Sequence, residues 1–222
     1  MKVVQEPNEA DSLERLVLTG DGRAERRRLE AVASKYDGEK ELFLPSSGGG
    51  AIEQGPLRYV GTKKHNNSTV GDTGADVIDG VRGRIKRYDE VVFVVDAEHF
   101  GDDPQGELTA KFENLNWDTE TETLGSSAYE FSLTVGSTQV TMYAAIVGDC
   151  FECFEDGIAA LIECQRDVSR QSLYSGVEDR DGLKERIEDI LDSPDDQLLR
   201  EANRHEIDDC LPALAAVLRQ FE

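Results

Sequence analysis

Asp96 and Glu98 stand one residue apart in VVFVVDAEHF, directly behind an apolar, mostly β-branched run. Carboxylates in this position suit a hard divalent cation such as Mg²⁺, which takes oxygen ligands and is commonly held by one or two acids plus water and phosphate. Acids placed just past a central strand can project together into the crevice where open α/β sheets bind ligands. Asp149 follows a second apolar run, AAIVGD, and can complete such a cluster. Asp102 and Asp103 add carboxylates nearby but read as solvated surface charges. Acids are abundant throughout the chain, so any loop will contain some.

The basic counterpart lies earlier. Arg23, Arg26, Arg27 and Arg28 cluster behind the turn Gly20-Asp21-Gly22. A helix starting there would offer free N–H groups and positive potential to phosphate. Lys63 and Lys64, in RYVGTKKH, form a second basic island, with Tyr59 as a ring for base stacking. Both islands can instead pair with neighbouring acids. The glycines of Ser46–Gly50 lack the spacing of a Walker A loop.

A third grouping is Cys150-Phe151-Glu152-Cys153. A thiol at a helix start can have a lowered pKa and take part in redox exchange. His205 and Cys210 can alternatively join the pair in a zinc site. The flanking Phe151 and Phe154 favour a third reading, buried structural cysteines. Cys164 follows Cys153 by about three helical turns, which predicts that both face one core. No nucleophile elbow or Ser-His-Asp order is visible. Trp117 reads as a core residue.

These residues need a scaffold, and the hydrophobic pattern supplies one. Glu14–Thr19 reads as a strand, Arg23–Tyr36 as a helix and Glu41–Leu44 as a short strand. A glycine- and serine-rich connection runs from Pro45 to about Thr73, and Gly74–Tyr88 reads as a helix. Val91–Val95 has the composition of a strand buried on both faces. Glu107–Leu115 reads as a helix, and Tyr129–Val135 with Thr138–Val147 as a hairpin turning at Gly136-Ser137. Glu152–Val168 is an amphipathic helix, and 177–222 reads as wholly helical. Residues 1–12 are polar and read as frayed. The alternation predicts an α/β fold with a mostly parallel central sheet, helices on both faces, and a C-terminal helical extension. The hairpin can add an antiparallel strand. The expected division is 1–172 for the α/β domain and 173–222 for the extension packed on it. The extension's stripe of Leu211, Leu214, Val217, Leu218 and Phe221 needs a covering surface, either its own domain or a partner or second copy.

Two signatures together resemble the Toprim family, the fold of topoisomerases, primases and related nucleases. LVLTGDGRAERRRLEAV is similar to the family's first strand, turn and helix. VVFVVDAEHF is similar to its acidic second signature, and AAIVGDCFECFEDGIAALI to a late strand and helix of small members. The resemblance covers about residues 13–165 and implies a Toprim- or Rossmann-like sheet. It implies Mg²⁺-dependent hydrolysis or transfer at nucleic-acid phosphodiesters, with Asp96, Glu98 and Asp149 around the metal. Arg23, Arg26, Arg27, Lys63 and Lys64 would hold phosphates. Thr19 stands where the family has its glutamate, so Asp21 joins Asp96 and Glu98 as a candidate catalytic group. The same departure suits a non-catalytic binding or regulatory subunit of a larger complex.

The chain of 222 residues carries 46 acidic against 24 basic residues, a net charge of −22. Eight lysines stand against sixteen arginines. This composition resembles proteins of extreme halophiles, in which molar salt screens self-repulsion over about 3 Å. No stretch has the length and apolarity of a membrane span, and Met1–Ala10 lacks the apolar segment of a signal peptide. The expected location is cytoplasmic.

Overall fold

The β-branched run that ends in Asp96 becomes the centre of a sheet. The computed structural model describes residues 1–4, 15–19, 23–38, 42–43, 78–79, 82, 85–191 and 194–222. Its strands are β1 (Val3–Val4), β2 (Arg15–Thr19), β3 (Leu42–Phe43), β4 (Glu90–Asp96), β5 (Asp118–Gly125), β6 (Ala128–Val135) and β7 (Thr138–Val147). They form one seven-stranded sheet in the order β1-β3-β2-β4-β7-β6-β5.

This sheet is mixed. β4 pairs in parallel with β2 on one side and β7 on the other, while β7, β6 and β5 form an antiparallel meander. The expected mostly parallel sheet is thus found only in its first part, where β1 and β3 add parallel pairs of two residues per strand. The cause is the hairpin: β7 returns beside β4, and the strands preceding it are then carried outward in alternating directions.

Strand alternation divides the core in two. Val92 and Val94 face one side, and Val91, Phe93 and Val95 the other. The first face is covered by α1 (Arg23–Ala33), α3 (Phe154–Gln165) and the helices that follow. Those are α4 (Arg170–Tyr174), α5 (Arg180–Ile190), α6 (Asp195–Glu201), α7 (Arg204–Cys210) and α8 (Pro212–Leu218). The second face is covered by α2 (Pro104–Asn114) and by Ile78, Ile85 and Tyr88. Trp117 is a core residue here, stacked on Phe112 at 5.9 Å.

Several boundaries differ from expectation for local reasons. Val3 and Val4 pair with Leu42 and Phe43, so the polar N-terminus carries an edge strand. β5 reads DTETETLG, and its alternating Glu residues hide an edge strand that needs no apolar face outward. Helix α2 begins three residues early because Asp103 accepts the Gly106 N–H at 2.9 Å and Pro104 occupies the first turn. The described residues of 177–222 form a succession of short helices, two of which start directly after Pro194 and at Pro212. Of the segment expected to be a helix over 74–88, the structure describes a helical pair at 78–79 and a 3-10 turn at Ile85–Arg87. The Pro45–Thr73 connection lies outside the described residues.

The C-terminal stripe is spent within the chain. Leu211, Leu214, Val217, Leu218 and Phe221 are all buried in the core shared with α1 and α3. Phe221 meets Tyr143 of β7 edge to face at 5.0 Å. Of the two coverings expected for that stripe, its own domain is the one found. Among the described residues no helix is long and apolar enough to cross a membrane.

Candidate functional site: a strand-end cluster of acids and arginines

Asp96 is the last residue of β4, in register with Val147 of β7, while Thr19 ends β2 beside Val94. The carboxyl ends of these strands therefore lie together, as the placement of ligands in α/β sheets requires. Asp96 is only 4% exposed. Its Oδ1 accepts the N–H of Phe154 at 3.1 Å, one of the free donors at the start of α3. The chain then makes a 3-10 turn at Ala97–His99, where the Glu98 N–H donates to the Glu152 carbonyl at 2.8 Å. That bond ties the end of β4 to the loop leading into α3.

Asp96 and Glu98 converge, and they converge on an arginine. Arg180, the first residue of α5, hydrogen-bonds Glu98 Oε1 and places Nη1 3.5 Å from Asp96 Oδ2. Its Nε lies 4.0 Å from Glu155 Oε2. One guanidinium thus stands among three carboxylates. His99 Nε2 lies 3.7 Å from Glu98 Oε1 at the rim.

Behind this group sits a second arginine. Arg28 of α1 is buried, donating to Glu155 Oε1 at 2.7 Å and to Asp195 Oδ2 at 2.9 Å through Nε. Its guanidinium also lies 4.9 Å from the centre of the Phe154 ring. Burial by itself would weaken the proton affinity of Arg28, but Glu155 and Asp195 outweigh it and hold that affinity above the ordinary arginine value. Burial likewise opposes ionisation of Glu155, and Arg28 overcomes it, leaving the Glu155 pKa below the usual range. Glu155 Oε2 is buried and has no hydrogen-bond partner among the described residues.

The neighbouring Asp156 is 2% exposed and organises the loop after β7. Its carboxylate accepts the N–H groups of Asp149 at 2.8 Å, Phe151 at 3.0 Å and Cys153 at 3.3 Å, and the Tyr174 hydroxyl at 3.0 Å. The loop needs this anchor because it contains two left-handed residues, Gly148 at φ 123° and Glu152 at φ 56°. A cavity of about 290 Å³ opens beside it, lined in part by Asp149, Asp156, Gly157, Arg170 and Cys210.

Asp149 is largely exposed and pairs with Arg170 at 3.1 Å, while Asp96 and Glu98 pair with Arg180. Arg23 and Arg26 lie in α1, and Arg27 is exposed on it. Arg28, grouped with them as a phosphate ligand, is instead enclosed by Glu155 and Asp195. Asp21, Lys63 and Lys64 lie outside the described residues. Cys150 and Cys153 do not have lowered pKa values. Burial and then nearby carboxylates push both thiols upward, with Asp149 and Asp156 acting on Cys150, and Glu155, Asp156 and Asp96 on Cys153. Cys164 does not share the burial of Cys153; it is exposed and meets Cys210. His205 is 85% exposed in its side chain and lies 3.6 Å from Asp209, and among the described residues no zinc-ligand set assembles around it.

Sequence reading missed Glu155, Asp156, Arg180 and Asp195. The signal for the first two was present: an adjacent acidic pair opens the otherwise apolar helix FEDGIAALI. Arg180 and Asp195 come from the C-terminal helices, and nothing local marks them.

The oxygen donors are of the right kind for Mg²⁺, but they do not fit it as arranged. Among the described residues no three His, Cys, Asp or Glu groups are placed to hold one metal ion. Asp96 Oδ1 is committed to a backbone N–H, and Arg180 supplies the positive charge between the acids. Comparison with known proteins finds no matching family model, curated protein or solved structure.

Proposed function

We propose that the chain is a non-catalytic, Toprim-like binding or regulatory module, a subunit of a larger complex. Its strand-end acids are held by arginines instead of serving a metal. The observation that carries this reading is Arg180, whose guanidinium stands among Asp96, Glu98 and Glu155. A second cation, the buried Arg28, neutralises Glu155 from behind. Thr19 at the end of β2 suits the same reading, since a hydroxyl cannot replace a carboxylate base.

A second reading is Mg²⁺-dependent hydrolysis or transfer at nucleic-acid phosphodiesters. One observation favours it: among the described residues the buried Glu155 Oε2 has no hydrogen-bond donor, and a cation could satisfy it. In that case Arg180 would have to leave before Asp96, Glu98 and Glu155 could close on a metal.

Nicking of plasmid DNA and cleavage of structured RNA, with Mg²⁺ or Mn²⁺ in molar KCl, separate the two. The binding-module reading expects the purified chain to match its Asp96→Asn variant at background. Metal-dependent cleavage that Asp96→Asn abolishes would establish the second reading and remove the first.

A further inference from the structure

Cys164 and Cys210 are 46 residues apart in sequence, yet their sulfurs lie 3.6 Å apart. Cys164 sits in the last turn of α3 and is exposed; Cys210 ends α7 and is buried. The approach is fixed by the helices. Two turns back along α3, Gly157 lies so close to α7 that an added Cβ would meet Leu211 Cδ2 at 2.2 Å and the Cys210 carbonyl at 3.1 Å. On the other side of the sulfurs, Gln165 Nε2 donates to Glu206 Oε2 at 3.0 Å. The pair is therefore held between two points of contact.

We propose that Cys164 and Cys210 are an oxidation site, closing reversibly into a disulfide that joins α3 to α7. An S–S bond is about 2.05 Å long, so closure requires the sulfurs to approach by about 1.5 Å. The chemistry is thiol–disulfide exchange with a low-molecular-weight disulfide, RSSR. The exposed Cys164 thiolate attacks one sulfur of RSSR, forming a mixed disulfide and releasing RS⁻, which takes up a proton. Cys210 then loses its proton to solvent and attacks Cys164 Sγ, releasing the second RS⁻. The protein loses two hydrogens, and RSSR is reduced to two RSH.

Exposure sets this order. The Cys210 thiol is pushed up to about 12, chiefly by burial and then by Cys164, Asp209 and Glu206, so it is a poor first nucleophile. The closed bond would also fix one wall of the cavity beside β7, which Cys210 and Gly157 both line.

The test treats the reduced, full chain with oxidised glutathione in molar KCl, blocks remaining thiols, and maps peptides by mass. The expected product is an intramolecular Cys164–Cys210 bond, reversed by dithiothreitol. The melting temperature should rise by about 5–10 °C on closure, because a long loop is tied in the unfolded chain. Cys210→Ser should stop at a glutathione adduct on Cys164, and Cys164→Ser should form no bond at Cys210. A wild-type chain that retains the Cys164 adduct, or pairs Cys164 with Cys150, overturns the proposal.

Discussion

Replacing Arg28 with methionine tests the energetics of the strand-end cluster. Methionine keeps much of the apolar stem and removes the guanidinium. Glu155, 3% exposed, then loses its 2.7 Å partner, and the arginine left beside it among the described residues is Arg180 at 4.0 Å. Breaking a buried ion pair from one side typically costs about 3–5 kcal/mol, because the remaining charge is left desolvated. Asp195 is more open and can be rehydrated, so it adds little. For a chain of this size the loss corresponds to a fall in Tm of about 6–20 °C. Urea unfolding in molar KCl measures it.

The pH dependence gives an independent sign. In the wild type Glu155 has a lowered pKa, so its stabilising contribution is full above the ordinary carboxylate value and is lost as pH falls through the lowered one. In Arg28→Met, burial dominates and the Glu155 pKa rises, so folding takes up a proton. The stability deficit of the variant should therefore shrink as pH falls from 7 toward 5. The double variant Arg28→Met/Glu155→Gln should recover part of the loss at pH 7. A single-variant loss below about 1 kcal/mol, with no pH dependence, would show the pair to be no stronger than a surface contact and refute the reasoning.

Asp156→Ala removes four hydrogen bonds to one buried carboxylate; a loss of about 3 kcal/mol is expected by chemical denaturation, with faster proteolysis in 148–153. Gly148→Ala should cost more than Gly136→Ala. Both have positive φ, but a Cβ at 148 would meet Cys153 N at 2.3 Å, whereas one at 136 meets nothing within 4 Å; paired melting curves decide this. Raising KCl from dilute to molar should raise the urea midpoint, since the charge of −22 repels itself less when screened. A midpoint independent of salt would contradict that.

The elements carrying strong periodicity were legible from sequence. VVFVV became the strand paired on both sides, and its alternating residues face two separate cores. The hairpin turned where Gly136 permits positive φ. β5 was hidden because an edge strand with solvated glutamates carries little apolar signal. Direction was harder to see than position: nothing local to β7 states that it will lie beside β4. For the site, Asp96 and Glu98 were singled out by their place after a strand, and both lie beside Arg180. Their partners were not found, because ion pairs are made between elements distant in sequence. Arg28 lies 167 residues from Asp195, and Arg180 lies 82 from Glu98. The cluster Arg23, Arg26, Arg27 and Arg28 looked like one basic patch, but helical geometry turned Arg28 inward and Arg27 outward.

Calorimetric titration of Mg²⁺ in molar KCl, comparing the wild type with Asp96→Asn and Arg180→Ala, addresses the strand-end acids most directly. If Arg180 is their resident cation, wild type and Asp96→Asn give the same featureless heats, and saturable uptake emerges only when Arg180 is removed or not at all. One-to-one binding by the wild type that disappears in Asp96→Asn would mean that the acids serve a metal, and the arginine-held account would be wrong.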